Sequence, residues 1–299
     1  MSTAPRSRHQ HTLQDLHQRV SQGHKLVMLT AYDAPTAQIA DAAEVDILLV
    51  GDSLGNVVLG YDNTLPVTVA VLAHHLEAVA RTRPRAFLMA DMPYLSVHLG
   101  AEEAIRAGGE FLRKGAQAVK VEGGAKRIPV LRALLDAEIP VMAHLGLTPQ
   151  SLHAMGDYRV QGRDGEAAVT LLEDALRLQD AGCFAVLLEG IPAELAQRVT
   201  EALEVPTIGI GAGPHCTGQV LVFHDLLGLL PGTPPKFVRA YLDGRSQMVE
   251  AIQAWAGDIQ AGTFPGVAES YMLPESARKR LEAWRPPLSK TDEGKQTKE

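Results

Sequence analysis

Ile47-Leu48-Leu49-Val50-Gly51-Asp52, Ala86-Phe87-Leu88-Met89-Ala90-Asp91 and Ala118-Val119-Lys120-Val121-Glu122 are three short apolar runs, and each ends on an acid. Runs this short and this rich in Val, Ile, Leu and Phe read as parallel strands covered on both faces. An acid at the finish of such a strand stands where α/β enzymes place their chemistry. Carboxylates converging from neighbouring strands repel one another unless a cation neutralises them, and an all-oxygen donor set suits a hard ion such as magnesium. For any one of these acids taken alone, a helix cap or a structural ion pair is the plainer alternative. Three in succession make Asp52, Asp91 and Glu122 candidate metal ligands.

The pattern continues in both directions. Strand-like runs at 26–30, 47–50, 86–90, 118–122, 140–144, 184–189, 206–210 and 220–224 are mostly separated by stretches of helical periodicity at 35–43, 67–81, 101–114, 126–137, 166–181 and 193–204. Gly115 and Gly182 stand where helices stop. Eight such runs match a closed (β/α)8 barrel, an α/β TIM fold, better than a doubly wound open sheet. Asp52, Asp91, Glu122, His144 and Glu189 all fall at run ends, which a barrel gathers at one mouth and an open sheet spreads along an edge. The barrel domain is expected over 24–273. Residues 1–23 are expected as a disordered tail, and 274–299 as a short helix followed by a second disordered tail.

Composition narrows the function classes. A chain of 299 residues, 46% hydrophobic and 21% charged, has enough apolar surface for a large core. A formal charge of −7 without a Lys/Arg block argues against a nucleic-acid surface. Cys183 and Cys216, the two cysteines, form no CxxC and no zinc-like spacing. No run approaches the roughly 18 apolar residues needed to cross a membrane, so a cytoplasmic protein acting on small molecules is expected.

Side chains alternate along a strand, so Lys120 and Glu122 point the same way. A lysine beside carboxylates and a cation supplies a point charge for the carboxylate of an anionic substrate; the plainer alternative is a buried structural pair. Ser53, next to Asp52, offers a backbone N–H and a hydroxyl to the same anion, or simply builds a turn. Glu189 closes the sixth run and is a candidate general base, with helix capping as the alternative. His144 is a candidate substrate contact or, equally, a satisfied core histidine. His74 and His75 lie in mid-helix without ligand companions and carry no assigned role. Gly209-Ile210-Gly211-Ala212-Gly213 follows a strand but lacks the dinucleotide spacing, and reads as a close-packed turn.

The runs Thr30-Ala31-Tyr32-Asp33, Val50-Gly51-Asp52-Ser53-Leu54-Gly55, Ala90-Asp91-Met92-Pro93, Val119-Lys120-Val121-Glu122-Gly123-Gly124 and Ala143-His144-Leu145-Gly146-Leu147-Thr148-Pro149-Gln150 together resemble the ketopantoate (3-methyl-2-oxobutanoate) hydroxymethyltransferase family. So does Phe223-His224-Asp225-Leu226-Leu227-Gly228-Leu229, and the resemblance extends over about 25–266. It implies a magnesium-dependent barrel of the phosphoenolpyruvate/pyruvate superfamily, a large homo-oligomer, often a decamer, in pantothenate and coenzyme A synthesis. The implied reaction moves a one-carbon unit from 5,10-methylenetetrahydrofolate to 3-methyl-2-oxobutanoate, giving 2-dehydropantoate. By matching motif, the resemblance assigns Asp52, Asp91 and Glu122 to the metal, Asp52, Ser53, Asp91 and Lys120 to the oxo acid, and Glu189 to proton acceptance. Two departures stand out: Thr217 where the family pattern leads one to expect aspartate, and a 265–271 segment without a His-Ser-Phe ending. A magnesium-dependent lyase or aldolase on a 2-oxo acid is the nearest rival reading, and a catalytically silent barrel the rival from another class.

Overall fold

The computed structural model describes residues 9–156 and 159–285. Eight parallel strands close into a barrel in sequence order: β1 (Leu26–Thr30), β2 (Ile47–Val50), β3 (Phe87–Asp91), β4 (Ala118–Glu122), β5 (Val141–Gly146), β6 (Ala185–Glu189), β7 (Thr207–Ile210) and β8 (Gly218–Leu221). The seam is a true parallel pairing, with Met28 of β1 opposite Val220 of β8. The outer helices are α2 (Ala34–Ala42), α4 (Val69–Ala80), α5 (Ala101–Arg113), α6 (Ile128–Asp136), α8 (Gly165–Asp180) and α9 (Ala193–Ala202), with one-turn helices α3 (Leu54–Val57), α7 (Leu152–Met155) and α10 (Phe223–Leu226) in the connecting loops.

Alternation along the strands builds two cores. Met28, Ile47, Leu49, Phe87, Met89, Ala118, Met142, Leu187 and Ile208 fill the barrel interior, while Leu48, Val50, Leu88, Val119, Val121 and Val186 face the helices. Continuing the interior phase by two residues from Met89, Ala118, Met142 and Leu187 reaches Asp91, Lys120, His144 and Glu189. The same register that packs the barrel therefore aims its polar groups into the mouth.

The structure corrects the expected boundaries. Within 1–23, expected as a disordered tail, lies α1 (Leu13–Ser21), opened by a capping box between Thr12 and Asp15. Leu16 is buried with the barrel-interior residues, partly buried Leu13 and Val20 pack against them, and the Arg19 guanidinium pairs with buried Asp46 at 2.7 Å. The segment's polar composition hides this narrow apolar stripe. The eighth strand runs over Gly218–Leu221 rather than 220–224. Phe223 N–H instead donates to Thr30 Oγ1 at 2.9 Å, and the chain turns into α10.

The compact unit containing the barrel ends at Arg245, not at 273, and Ser246 onward forms a second unit. It carries most of α11 (Gly244–Ala261) and the expected short helix, α12 (Glu275–Ala283). The tail expected beyond 285 lies outside the described residues.

Candidate active site

A cavity of about 210 Å³ opens at the C-terminal mouth of the barrel and is lined by Asp52, Ser53, Asp91, Lys120, Glu122, His144 and Glu189. Every residue singled out from sequence as a metal, substrate or proton-handling group is therefore in one place. The volume is below the roughly 300–1,000 Å³ of drug-sized sites and suits a small acid. A larger cavity of about 690 Å³ beside α8 is lined by none of these residues. Chemistry, not size, marks the first as the site.

Asp91 ends β3, and its Oδ2 accepts from the backbone N–H of Asp52 at 3.0 Å, which draws the turn after β2 onto β3. Lys120 Nζ stands 3.1 Å from Asp91 Oδ1 and 3.6 Å from Glu122 Oε1. His144 lies between two carboxylates, its Nδ1 3.5 Å from Glu122 Oε1 and its Nε2 3.3 Å from Glu189 Oε2. The latter is an ion-pair distance without hydrogen-bond alignment. Ser53 Oγ shares a 2.8 Å hydrogen bond with the hydroxyl of Tyr32, itself 1% exposed. Glu189 is the most accessible of the acids, its side chain 17% exposed against 4% for Asp91 and Glu122.

Burial sets the electrostatics, and the neighbours decide its direction. Desolvation, reinforced by the Asp91 and Glu122 charges, pushes the Asp52 carboxyl well above the usual range. Asp91 is also raised by burial, in spite of Lys120. Burial acts on Glu122 in the same sense, but Lys120 and His144 outweigh it and hold that carboxyl low. Burial and Lys120 oppose a charged His144, yet Glu122 and Glu189 push its pKa up to about 9. Burial opposes the Lys120 ammonium too, and Asp91, Glu122 and Asp52 keep it charged.

These residues fit a divalent cation. Five carboxylates, Asp52, Asp91, Glu122, Glu189 and Asp225, line the cavity against two basic groups, Lys120 and His144, so acids outnumber bases there. Asp91 Oδ1 is a buried oxygen with no aligned hydrogen-bond donor. A hard, doubly charged ion matches both the oxygen donors and the excess of acids. Among the described residues no three His, Cys, Asp or Glu side chains are already drawn into a coordination shell. Lys120 and the loop after β5 hold the three acids, which share a cavity rather than a ready-made triad.

Other sequence-derived points resolve as follows. Thr217 stands just before β8, at the end of the barrel opposite the acids. Its hydroxyl donates to Thr207 O at 2.8 Å and accepts from Thr207 N–H at 2.7 Å, so it ties β7 to β8. His75 Nδ1 lies 2.6 Å from Tyr32 O, and His74 is exposed. In the glycine run, a Cβ at Gly213 would meet that of Ala193 at 2.4 Å, so it is a close-packed turn. Sequence reasoning gave no role to Gln150 or Tyr32; both sit in the quoted motifs, but no periodicity distinguishes an amide or a phenol that bonds across the barrel.

A profile of the family described as ketopantoate hydroxymethyltransferase matches residues 10–267. The chain is 61% identical over 278 residues, 93% of its own length and 95% of the relative's, to 3-methyl-2-oxobutanoate hydroxymethyltransferase 2 of Bradyrhizobium diazoefficiens. It is 50% identical over 258 residues to the 3-methyl-2-oxobutanoate hydroxymethyltransferase of Syntrophomonas wolfei, covering 86% of this chain and 94% of that one. Among solved structures, phosphoenolpyruvate phosphomutase from Streptomyces platensis superposes with a TM-score of 0.58 at 15% identity, covering 91% of this chain and 96% of that one. A 2,3-dimethylmalate lyase of the PEP mutase/isocitrate lyase superfamily gives 0.54 at 16% identity, covering 94% and 95%. At these identities the structural likenesses establish the barrel fold alone.

Proposed function

From its membership of the ketopantoate hydroxymethyltransferase family, to which this chain belongs, we propose that it transfers the one-carbon unit of 5,10-methylenetetrahydrofolate to C3 of 3-methyl-2-oxobutanoate. With water, the products are 2-dehydropantoate and tetrahydrofolate. The observation that carries this reading is the convergence of Asp52, Asp91, Glu122, Lys120, His144 and Glu189 on one small cavity. A magnesium ion held by Asp52 and Asp91, with Glu122 beside them, would supply charge balance and Lewis-acid polarisation of the 2-oxo group, worth several kcal/mol.

The chain's own residues account for the remaining work. Lys120, kept charged by the surrounding acids, neutralises the substrate carboxylate. Ser53, oriented by Tyr32, hydrogen-bonds the same anion. Glu189, the acid nearest solvent, takes the proton from C3 as the C–H bond breaks, a step in which a placed base contributes roughly 10²- to 10⁴-fold. His144 Nε2 lies 3.3 Å from Glu189 Oε2 and borders the base on its buried side. The enolate carbon then attacks the methylene carbon of the folate, forming the C–C bond as one methylene–nitrogen bond breaks; water replaces the second nitrogen, which leaves the hydroxymethyl group on the product and releases tetrahydrofolate.

No described helix is long and apolar enough to cross a membrane. The same proposal places the enzyme in the cytoplasm, acting on small molecules without nucleic-acid or membrane partners. It is a homo-oligomer on this reading, the decamer of the resemblance included. The stripe Met248, Ile252, Trp255 and Ile259 on α11, exposed and at helical spacing, supports association. The deciding assay incubates the protein with the oxo acid, methylenetetrahydrofolate and magnesium. 2-Dehydropantoate should form only when all are present, and its absence would remove the proposal.

A further inference from the structure

Gln150 sits in the turn after β5 and is 6% exposed. Its side-chain Nε2 donates to Asp52 Oδ2 at 2.8 Å and to the carbonyl of Met92 at 2.9 Å. Its backbone N–H donates to Glu122 Oε2 at 3.1 Å. One residue thus ties the turn after β2, the end of β3 and the end of β4 to the loop after β5. The Met92 carbonyl can only accept, and the Asp52 carboxylate that would face a cation brings no hydrogen either, so the NH2 end of the amide serves both. A flipped amide would set Oε1 against a carboxylate and a carbonyl. The orientation leaves Oε1 buried without a donor. The site keeps its donors where the acids are, even at the expense of an unmet acceptor. Glutamate in this place would supply no donor at neutral pH and add a further carboxylate to the acids already there; leucine or methionine would fill the space and supply nothing.

We propose that Gln150 is the positioning residue of the acid cluster: its side-chain amide fixes Asp52 and its backbone N–H fixes Glu122, orienting both carboxylates for a divalent cation. The proposal rests on the cation-binding reading of these acids given above. Gln150 touches no reacting atom in this account. It acts through Asp52 and Glu122, as outer partners of metal ligands generally do, and their removal typically costs 10- to 100-fold in metal affinity.

The test is a manganese titration of the full-length protein, following loss of the free-ion paramagnetic resonance signal, with melting and circular dichroism recorded in parallel. Gln150→Leu and Gln150→Met, each without a donor, should fold and bind Mn²⁺ 10- to 100-fold more weakly than wild type. A purely structural tie would lower the melting temperature and leave the dissociation constant of the folded protein unchanged. That result in either folded variant overturns the proposal. Failure of both variants to fold also overturns it, since Gln150 is then a determinant of the fold. Wild type that binds no Mn²⁺ defeats the cation reading itself, which separates that failure from this one.

Discussion

The charge deficit at the barrel mouth makes a quantitative prediction about metal and stability. In the metal-free protein, Asp52 and Asp91 are raised, burial being the largest cause. A carboxyl raised on folding keeps its proton longer in the native state. Its penalty is absent below the unfolded pKa of about 3.9 and grows until pH passes the folded value. Glu122 runs the other way: it contributes stability above its unfolded pKa that is lost on acidification. With two raised acids against one lowered, the chelated protein should lose stability from this cluster on going from mildly acidic to neutral pH. Magnesium at about 100 times its dissociation constant should restore about 2.7 kcal/mol. At roughly 2–4 °C per kcal/mol for a chain of this size, that is a rise of about 5–11 °C in Tm. Asp52→Asn keeps an oxygen for the Gln150 amide but removes one of the repelling charges. Its metal-free form should be at least as stable as wild type at neutral pH. If its affinity falls about 100-fold, the same magnesium concentration contributes only about 0.4 kcal/mol, or roughly 1–2 °C. Differential scanning calorimetry with chelator and with magnesium reads all four numbers. An Asp52→Asn protein that melts lower than wild type in chelator and gains the full increment from magnesium would refute the reasoning.

Three further outcomes follow from the same geometry. Glu189→Gln should lower the kcat of hydroxymethyl transfer by roughly 10²- to 10⁴-fold with KM little changed, because a placed base acts on the chemical step; wild-type turnover would remove Glu189 as the base. Lys120→Gln should raise KM for the oxo acid by roughly 10- to 150-fold, the equivalent of about 1.5–3 kcal/mol for a hydrogen bond to a charged group. An unchanged KM would assign Lys120 to structure alone. Ile252→Glu on α11 should shrink the particle measured by light scattering, since the charge interrupts an exposed apolar stripe; a wild-type mass would place the interface elsewhere.

Much of the site was legible because barrel interiors keep a strict two-residue period. Lys120 and Glu122 are read as neighbours on one face from that period alone, and the structure puts their charged atoms 3.6 Å apart. Asp91 and Glu189 close apolar runs, so each was legible as a strand-end acid, with capping or a structural ion pair left open; both line the mouth cavity. What escaped has the opposite character. Gln150 reaches Asp52 across 98 residues of sequence, and a lone amide carries no local signature of that contact. Leu16 belongs to a helix whose other faces are polar, so composition concealed a segment that packs against the barrel-interior residues. Val222 and Phe223 look like strand residues, but the hydroxyl of Thr30, 193 residues away from Phe223, takes the backbone donor and redirects the chain. Thr217 could not be placed at the far end of the barrel until the β7–β8 register was known.

Nuclear magnetic resonance of 3-methyl-2-oxobutanoate in deuterated water, with enzyme and magnesium but no folate, tests the central claim most directly. Wild type should replace the C3 hydrogen with deuterium, chelation should stop the exchange, and Asp52→Asn should slow it steeply. A C3 hydrogen that stays unexchanged in the presence of active enzyme, or that exchanges equally fast in chelator, would contradict the account.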